Sequence, residues 1–323
     1  MRKWLTLILQ TLVSVALLAW IFRDAATRRE VVHFVREADL FWLVAGVASA
    51  GVGVILGVYR WEIFLRVMGI RLSAWELFRI SMVGLFFNNF LVGAVGGDAV
   101  KVVWLGAKGH SKVSSLVSVL MDRMSGLGAL VICSLVFIAG RLDWLSRSPV
   151  VAGVSQGVLV YLVAVLVFLA VTFVLAMRGV TDRLPARMPG RGHLVTFTSA
   201  YFKFVSHWRA TLAASLLSCV ILVSYIGTFY CAARAFGVHQ PFVDFLAFMP
   251  AVDIIAALPV SLGGFGVRDQ LFATLMGDLY GVPVAQAVSI SLCGAFMSLA
   301  WGLVGLALLP SYRRVVRQEP ETA

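Results

Sequence analysis

Two glycine-rich segments of this sequence end in a basic residue and have the composition of an anion-binding site. Residues 91–101 read LVGAVGGDAVK and end in Lys101, and residues 258–268 read LPVSLGGFGVR and end in Arg268. A helix that begins after such a Gly-Gly pair offers unpaired backbone N–H groups and the positive end of its dipole, which attract phosphate. A cation one turn into the helix adds to that attraction. The two segments are therefore candidate phosphate sites.

Further polar residues accompany both segments. Asp98 follows the first Gly-Gly pair directly and is predicted to cap the helix that it opens. Asp253 lies shortly before the second segment, either as part of the same polar path or as the carrier of a coupling proton. The candidate binding residues in and around the two segments are Asn88, Asn89, Gly96, Gly97, Asp98, Lys101, Asp253, Pro259, Gly263, Gly264, Gly266, Arg268 and Asp269.

An adjacent acid and base, Asp122 and Arg123, interrupt a long apolar run. Ionisable groups at such positions are costly and are candidates for function. Successive helical residues point about 100° apart, so these two need not pair with each other. Arg123 either binds phosphate through its planar fork or forms a structural ion pair with Asp98 or Asp253.

The elements that position these residues are predicted to be membrane-spanning helices. The chain is 60% hydrophobic and 13% charged, with a mean hydropathy of +0.93, whereas soluble domains carry about 25% charged residues. Six apolar runs approach or exceed the ~20 residues of a transmembrane helix, and two further runs are broken by Gly, Pro and charges. The six runs are 4–22, 41–59, 113–140, 150–177, 211–233 and 285–309, and the broken runs are 80–105 and 245–276. The fold is predicted to be an all-α polytopic membrane protein.

The distribution of basic residues indicates how the runs cross. If all eight cross, Lys and Arg residues fall about equally on the two sides, against the positive-inside rule. If the two broken runs are re-entrant hairpins, most loop cations share the side of both termini. We therefore predict six crossings and two re-entrant hairpins in a cytoplasmic membrane, with N- and C-termini cytoplasmic. The run after Met1 is too long and lacks the cleavage site of a signal peptide, so it is predicted to stay as the first span.

The two glycine-rich segments also predict an inverted repeat. They lie 167 positions apart and share Leu, Gly-Gly and Val at matching positions. An odd number of crossings in each half inverts the second half, a pattern typical of transporters. We predict one membrane domain, 1–323, with halves of about 1–149 and 150–312 and a cytoplasmic tail, 313–323. The alternative is that the glycines only allow close helix packing.

Several other functions are not predicted. The net charge of +11 is explained by the positive-inside rule and anionic lipids, so no nucleic-acid partner is expected. The sequence contains no GxxxxGK[ST], no HExxH and no short Cys or His spacing typical of metals. We expect no metal, no cofactor and no catalytic residue.

The motifs resemble those of the lysylphosphatidylglycerol synthase transmembrane (flippase-like) family over nearly the whole chain. The resemblance rests on residues 86–101, the Asp122-Arg123 pair and residues 259–269. The family usually has Pro at position 92, Arg at 101 and Glu at 269, where this chain has Val92, Lys101 and Asp269. The resemblance implies a bacterial inner-membrane protein proposed to move lipids between leaflets. No soluble aminoacyl-transfer domain is recognised here, so that activity is not expected.

The expected function is accordingly that of a lipid translocase. An anionic or zwitterionic lipid would present its headgroup phosphate to the helix N-termini of the two hairpins. The alternatives are a membrane-embedded enzyme acting on a lipid-linked substrate, with Asp98, Asp122 and Asp253 as acid and base, and a scaffold for a separate lipid-synthesis enzyme. Membrane lipids are the expected partners in all three cases.

Overall fold

A computed structural model describes residues 2–90, 96–178, 195, 202–203, 205–258 and 260–317. Every regular element in these ranges is helical, which confirms the predicted all-α fold. The α-helices are α1 (Arg2–Ile21), α2 (Ala25–Glu37), α3 (Leu40–Val67), α4 (Ala74–Phe90), α5 (Gly96–Ala107), α6 (Lys112–Ala139), α7 (Leu142–Leu145), α8 (Pro149–Met177), α9 (Trp208–Ala235), α10 (Phe242–Ala256), α11 (Val267–Tyr280) and α12 (Val284–Arg317). A 3₁₀ turn, Leu262–Gly264, separates α10 from α11.

Within the described ranges, five helices are long and apolar enough to cross a membrane: α3, α6, α8, α9 and α12. A helix of 28 residues, such as α3, is about 42 Å long and exceeds a hydrocarbon core of about 30 Å. The first predicted span corresponds to α1, whose 20 residues reach about 30 Å. A polytopic membrane protein is thereby confirmed.

Three elements differ from their predicted extents. Helix α3 continues to Val67, past the predicted end of its run, because apolar residues recur at helical spacing beyond Arg60. Helix α12 continues to Arg317 and so includes part of the predicted tail. The predicted loop after α1 contains the amphipathic helix α2, which is capped by the Asp24 side chain accepting from Ala26 N at 3.1 Å.

The first predicted break falls between α4 and α5, and residues 91–95 lie outside the described part of the chain. The second predicted break is confirmed between α10 and α11. Here Gly263, Gly264 and Gly266 have φ of +60°, +78° and +83°, a region that side chains with a Cβ rarely adopt. Glycine is required for this chain reversal.

Close backbone contact holds α4 against α5. A Cβ on Gly97 would lie 2.1 Å from the carbonyl oxygen of Gly84, so only glycine allows this approach. Helix α4 itself begins with a capping box, in which Ser73 Oγ accepts from Glu76 N at 3.2 Å and Glu76 Oε2 accepts from Ser73 N at 3.1 Å. The capping box fixes the start of α4, and the approach of Gly97 to Gly84 places the start of α5 beside α4.

The chain divides into two compact units, and each of the five long helices contributes residues to both. Unit 1 comprises residues 1–50, 132–162 and 223–298, and unit 2 comprises 51–131, 163–222 and 299–323. Unit 1 contains α10 and α11 around buried aromatic rings that include Phe248 and Phe272, whose centroids are 5.6 Å apart. Unit 2 contains α4 and α5 around a core that includes Trp61 and Trp104, both with no exposed surface.

Two pairs of helices begin within one position of the 167-residue offset of the predicted repeat. Helices α3 and α9 have 28 residues each and begin 168 positions apart, and α4 and α10 begin at the same offset. The boundaries of the two halves, 1–149 and 150–312, stay a prediction.

Candidate anion-binding sites

A bidentate ion pair joins α6 to α5 in unit 2. Arg123 donates from Nε to Asp98 Oδ2 at 2.8 Å and from Nη2 to Asp98 Oδ1 at 3.0 Å. Asp98 lies inside the first turn of α5, which begins at Gly96, so the prediction that it caps this helix is wrong. Its carboxylate instead meets a guanidinium, and a charge-assisted bidentate pair is stronger than a single neutral cap bond. Of the two roles considered for Arg123, the contacts support the structural ion pair.

A second ion pair joins α3 to α6. Arg60 Nε donates to Asp122 Oδ1 at 2.7 Å, and Arg60 Nη1 donates to Ser218 Oγ of α9 at 3.0 Å. The two charged side chains are only 15% and 10% exposed, so the pair is largely desolvated. Asp122 and the adjacent Arg123 take different partners, as their angular separation on a helix predicts. Arg60 directly follows the apolar run 41–59, so the sequence predicts a loop cation there and gives no sign of this pair.

Lys101 of α5 lies among these two pairs. Its Nζ is 4.3 Å from the ring centroid of Trp61, and the four paired charges all act on it electrostatically. Within the described ranges Nζ makes no hydrogen bond. We call this group the cationic cluster; its members are Arg60, Asp98, Lys101, Asp122 and Arg123. Three cations meet two carboxylates, so one positive charge is in excess.

The N-terminus of α5 is partly satisfied by a side chain of α4. Asn88 Oδ1 accepts from the N–H of Gly97 at 2.8 Å. Asn88 therefore bonds one of the helix-end donors, the role that the sequence assigned to Asp98. The neighbouring Asn89 is exposed.

The equivalent helix start in unit 1 is held by a buried carboxylate. Asp269 has no exposed surface, and it accepts from the N–H of Gly266 at 2.9 Å and from Ser291 Oγ at 2.6 Å. Gly266 also lies against α1, where a Cβ would be 2.6 Å from Leu17 Cβ. Asp269 thus caps α11 and also places a negative charge beside Arg268.

Arg268 is buried beside that cap. Its surface is 8% exposed, and its Nη2 lies 3.6 Å from Asp269 Oδ1, which is an ion pair but too long for a hydrogen bond. Nε and Nη2 of Arg268 are buried and make no hydrogen bond with the described residues. The guanidinium carbon lies 5.8 Å from the Phe229 centroid and 5.1 Å from that of Phe265.

The same cation–aromatic contact therefore occurs in each unit. Lys101 faces Trp61 of α3, and Arg268 faces Phe229 of α9. The two cations are 167 positions apart and the two rings 168 positions apart. The offset of this contact agrees to within one position with that of the glycine motifs, and the repeat itself stays a prediction.

Asp253 accepts a hydrogen bond from a phenol for which no sequence pattern is a signal. Tyr225 of α9 donates from its hydroxyl to Asp253 Oδ1 at 2.9 Å. Ser291, Ser218 and Tyr225 were all missed because single hydroxyls in apolar runs are common and carry no spacing signal. Pro259 lies outside the described residues, and Gly263 is exposed.

Comparison with known proteins gives two matches. The sequence profile described as "Lysylphosphatidylglycerol synthase TM region" matches residues 7–307. A protein described as "UPF0104 membrane protein PH1989", from the archaeon Pyrococcus horikoshii, is 22% identical over 318 residues, which cover 92% of this chain and 93% of that protein. The profile covers both hairpins and the residues of both sites.

Proposed function

Because this chain belongs to the family of the lysylphosphatidylglycerol synthase TM region, we propose that it moves an anionic or zwitterionic lipid between the leaflets of a cytoplasmic membrane. The lipid tails would remain in the bilayer, so only the polar headgroup needs a path lined by protein. Both termini would be cytoplasmic, as the basic residues predict.

The excess charge of the cationic cluster is the observation that carries the proposal. Arg60 and Arg123 are each neutralised by a carboxylate, but Lys101 has no carboxylate of its own. An ammonium inside the protein that has no paired carboxylate is stabilised by an anion, and one headgroup phosphate supplies one negative charge. The two ion pairs would hold the surrounding helices while Lys101 binds the headgroup.

The contacts favour transport over catalysis. A general acid or base must be within reach of a substrate proton, whereas Asp98 and Asp122 are each occupied by a hydrogen bond from an arginine, at 2.8 Å and 2.7 Å. Asp269 is likewise engaged by Ser291 and a backbone N–H. We therefore propose that the chain is not an enzyme and that it uses no cofactor.

The test is leaflet exchange by purified protein reconstituted into vesicles. Fluorescent lipids with anionic, zwitterionic and cationic headgroups are followed by quenching from outside. Lys101→Met should slow exchange of the preferred lipid about 10- to 100-fold, which corresponds to a charged hydrogen bond of about 1.5–3 kcal/mol. Lys101→Arg keeps the charge and should retain most activity. Lys112→Met, at an exposed lysine that begins α6, is the matched control.

Two results would remove the proposal. Full exchange by the double variant Lys101→Met/Arg268→Met would show that neither cation contacts the headgroup. Folded wild-type protein that exchanges no headgroup of the panel would favour a scaffold for a lipid-synthesis enzyme, for which stable co-purification is the expected finding.

A further inference from the structure

Among the described residues, the second hairpin of unit 1 brings together one cation and two carboxylates that act on one another. These are Arg268 and Asp269 of α11 and Asp253 of α10, and Arg268 acts electrostatically on Asp253. The charge balance is therefore opposite to that of the cationic cluster, with one negative charge in excess. An unneutralised carboxylate inside a membrane protein is costly, and binding a proton removes that cost.

The hydrogen bonds indicate which carboxylate takes the proton. Asp269 accepts from Ser291 and from the N–H of Gly266, and it forms the ion pair with Arg268. Asp253 accepts from the Tyr225 hydroxyl alone among the described residues. Asp253 is thus the carboxylate that is less stabilised as an anion.

The buried N–H groups of Arg268 can each donate to a further acceptor. Nε and Nη2 are buried and make no hydrogen bond with the described residues, although unpaired charged donors are expensive. An arginine keeps its proton at every accessible pH. The charged or titratable side chains that surround Asp253 are Tyr225 of α9 and Arg268 of α11, with Asp269 behind Arg268. Two acceptors can therefore compete for Arg268: ionised Asp253 and an external phosphate.

We propose that Asp253 is a proton-binding site whose protonation frees Arg268 to bind a headgroup phosphate. The proton binds to a carboxylate oxygen of Asp253, which then no longer attracts Arg268. Arg268 can therefore bind the incoming phosphate while it keeps its ion pair with Asp269. When the phosphate leaves, Asp253 releases its proton and again attracts Arg268. Linkage requires that proton binding and anion binding favour each other. The coupling rests on the proposed lipid translocation, whereas the proton site itself does not.

Infrared spectroscopy tests the proton site without any transport. Full-length protein in vesicles of phosphatidylglycerol and phosphatidylethanolamine is titrated with acid, and the C=O band of a protonated carboxyl is followed. The band should be lost in Asp253→Asn. It should remain in Asp278→Asn, the matched control: Asp278 also accepts a hydrogen bond from one hydroxyl, that of Ser148 at 2.6 Å, but its side chain is exposed. Tyr225→Phe should keep the band but raise its frequency, because a hydrogen bond to the carboxyl is removed.

Lipid exchange under an imposed pH gradient tests the coupling. Wild-type exchange should respond to the gradient, and folded Asp253→Asn should lose that response, whatever its rate of exchange. A carboxyl band unchanged in Asp253→Asn overturns the proton site, whatever the transport result. If the band is lost in Asp253→Asn but the wild-type protein moves no lipid, the proton site is supported and the translocase is contradicted.

Discussion

Arg60 and Asp122 form a largely buried ion pair, with Nε of the arginine 2.7 Å from Oδ1 of the aspartate. The pair ties α3 to α6, and the bond from Arg60 to Ser218 extends the connection to α9. Three of the five long helices are thus joined within unit 2 by one guanidinium. Such a contact is expected to hold the positions of the helices around Lys101.

Removing one partner of this pair should be strongly destabilising. Asp122→Ala leaves the Arg60 guanidinium buried without a counter-charge, a change that typically costs about 3–5 kcal/mol. Arg60→Met should have a similar effect through the orphaned carboxylate. Unfolding in mixed micelles measures both, together with the double variant. The double variant should cost less than the sum of the two; additive costs would show that the pair does not exist in the membrane protein.

Gly97 is expected to tolerate no side chain. In Gly97→Ala the new Cβ would lie 2.1 Å from the Gly84 carbonyl oxygen, so α4 and α5 must separate. Overpacking of this kind costs about 1–3 kcal/mol. Gly128→Ala in α6 is the control, because no atom lies within 4 Å of its Cβ position and alanine favours a helix by about 0.5–1 kcal/mol. The free energy of unfolding should fall for the first variant and stay or rise for the second.

The hairpins were predictable because their signals are local. Glycine and proline interrupt a helix wherever they cluster, so the breaks before Gly96 and Val267 follow from composition alone. Candidate cations such as Lys101 and Arg268 follow from the same segments. Both residues can be selected as candidates without any knowledge of how the helices pack.

The partners of the charges were not predictable, because they depend on how each helix is rotated. Sequence allowed Arg123 to bind phosphate, Asp98 or Asp253, and packing selected Asp98. Arg60 was assigned to a loop because a charge at the end of an apolar run normally marks a helix end. Its helix continues because Trp61 and the residues a turn later pack into the core of unit 2.

The start of α4 should lose stability in acid. Burial opposes ionisation of Glu76, but bonds from Lys108 and Ser73 outweigh it, and the pKa of Glu76 is lowered from its ordinary value of 4.5. A carboxyl whose pKa is lower in the folded state contributes stability above the unfolded pKa, and that contribution is lost as pH falls through the folded value. The free energy of unfolding should therefore decrease below pH 4.5.

Two variants separate the parts of this effect. Glu76→Gln should reduce the acid-dependent loss, whereas Ser73→Ala removes the cap and should cost about 1 kcal/mol near neutral pH. Glu76 lies in the first turn of α4, outside the five spanning helices, so bulk pH reaches it. An unchanged acid profile in Glu76→Gln would assign the effect to another carboxyl.

Ser291 should contribute more to the free energy of unfolding than other serines in apolar helices, because its hydroxyl donates to a fully buried carboxylate. Ser291→Ala leaves Asp269 Oδ1 without the 2.6 Å bond, and a buried acceptor left unpaired costs about 1–3 kcal/mol. The control is Ser298→Ala in the same helix, whose hydroxyl only bonds back to the Gly294 carbonyl at 3.0 Å. Losing that bond leaves the carbonyl in its helical hydrogen bond, so little change is expected. Equal unfolding free energies for the two variants would mean that Asp269 does not depend on Ser291, and that the Gly266 N–H and Arg268 hold it.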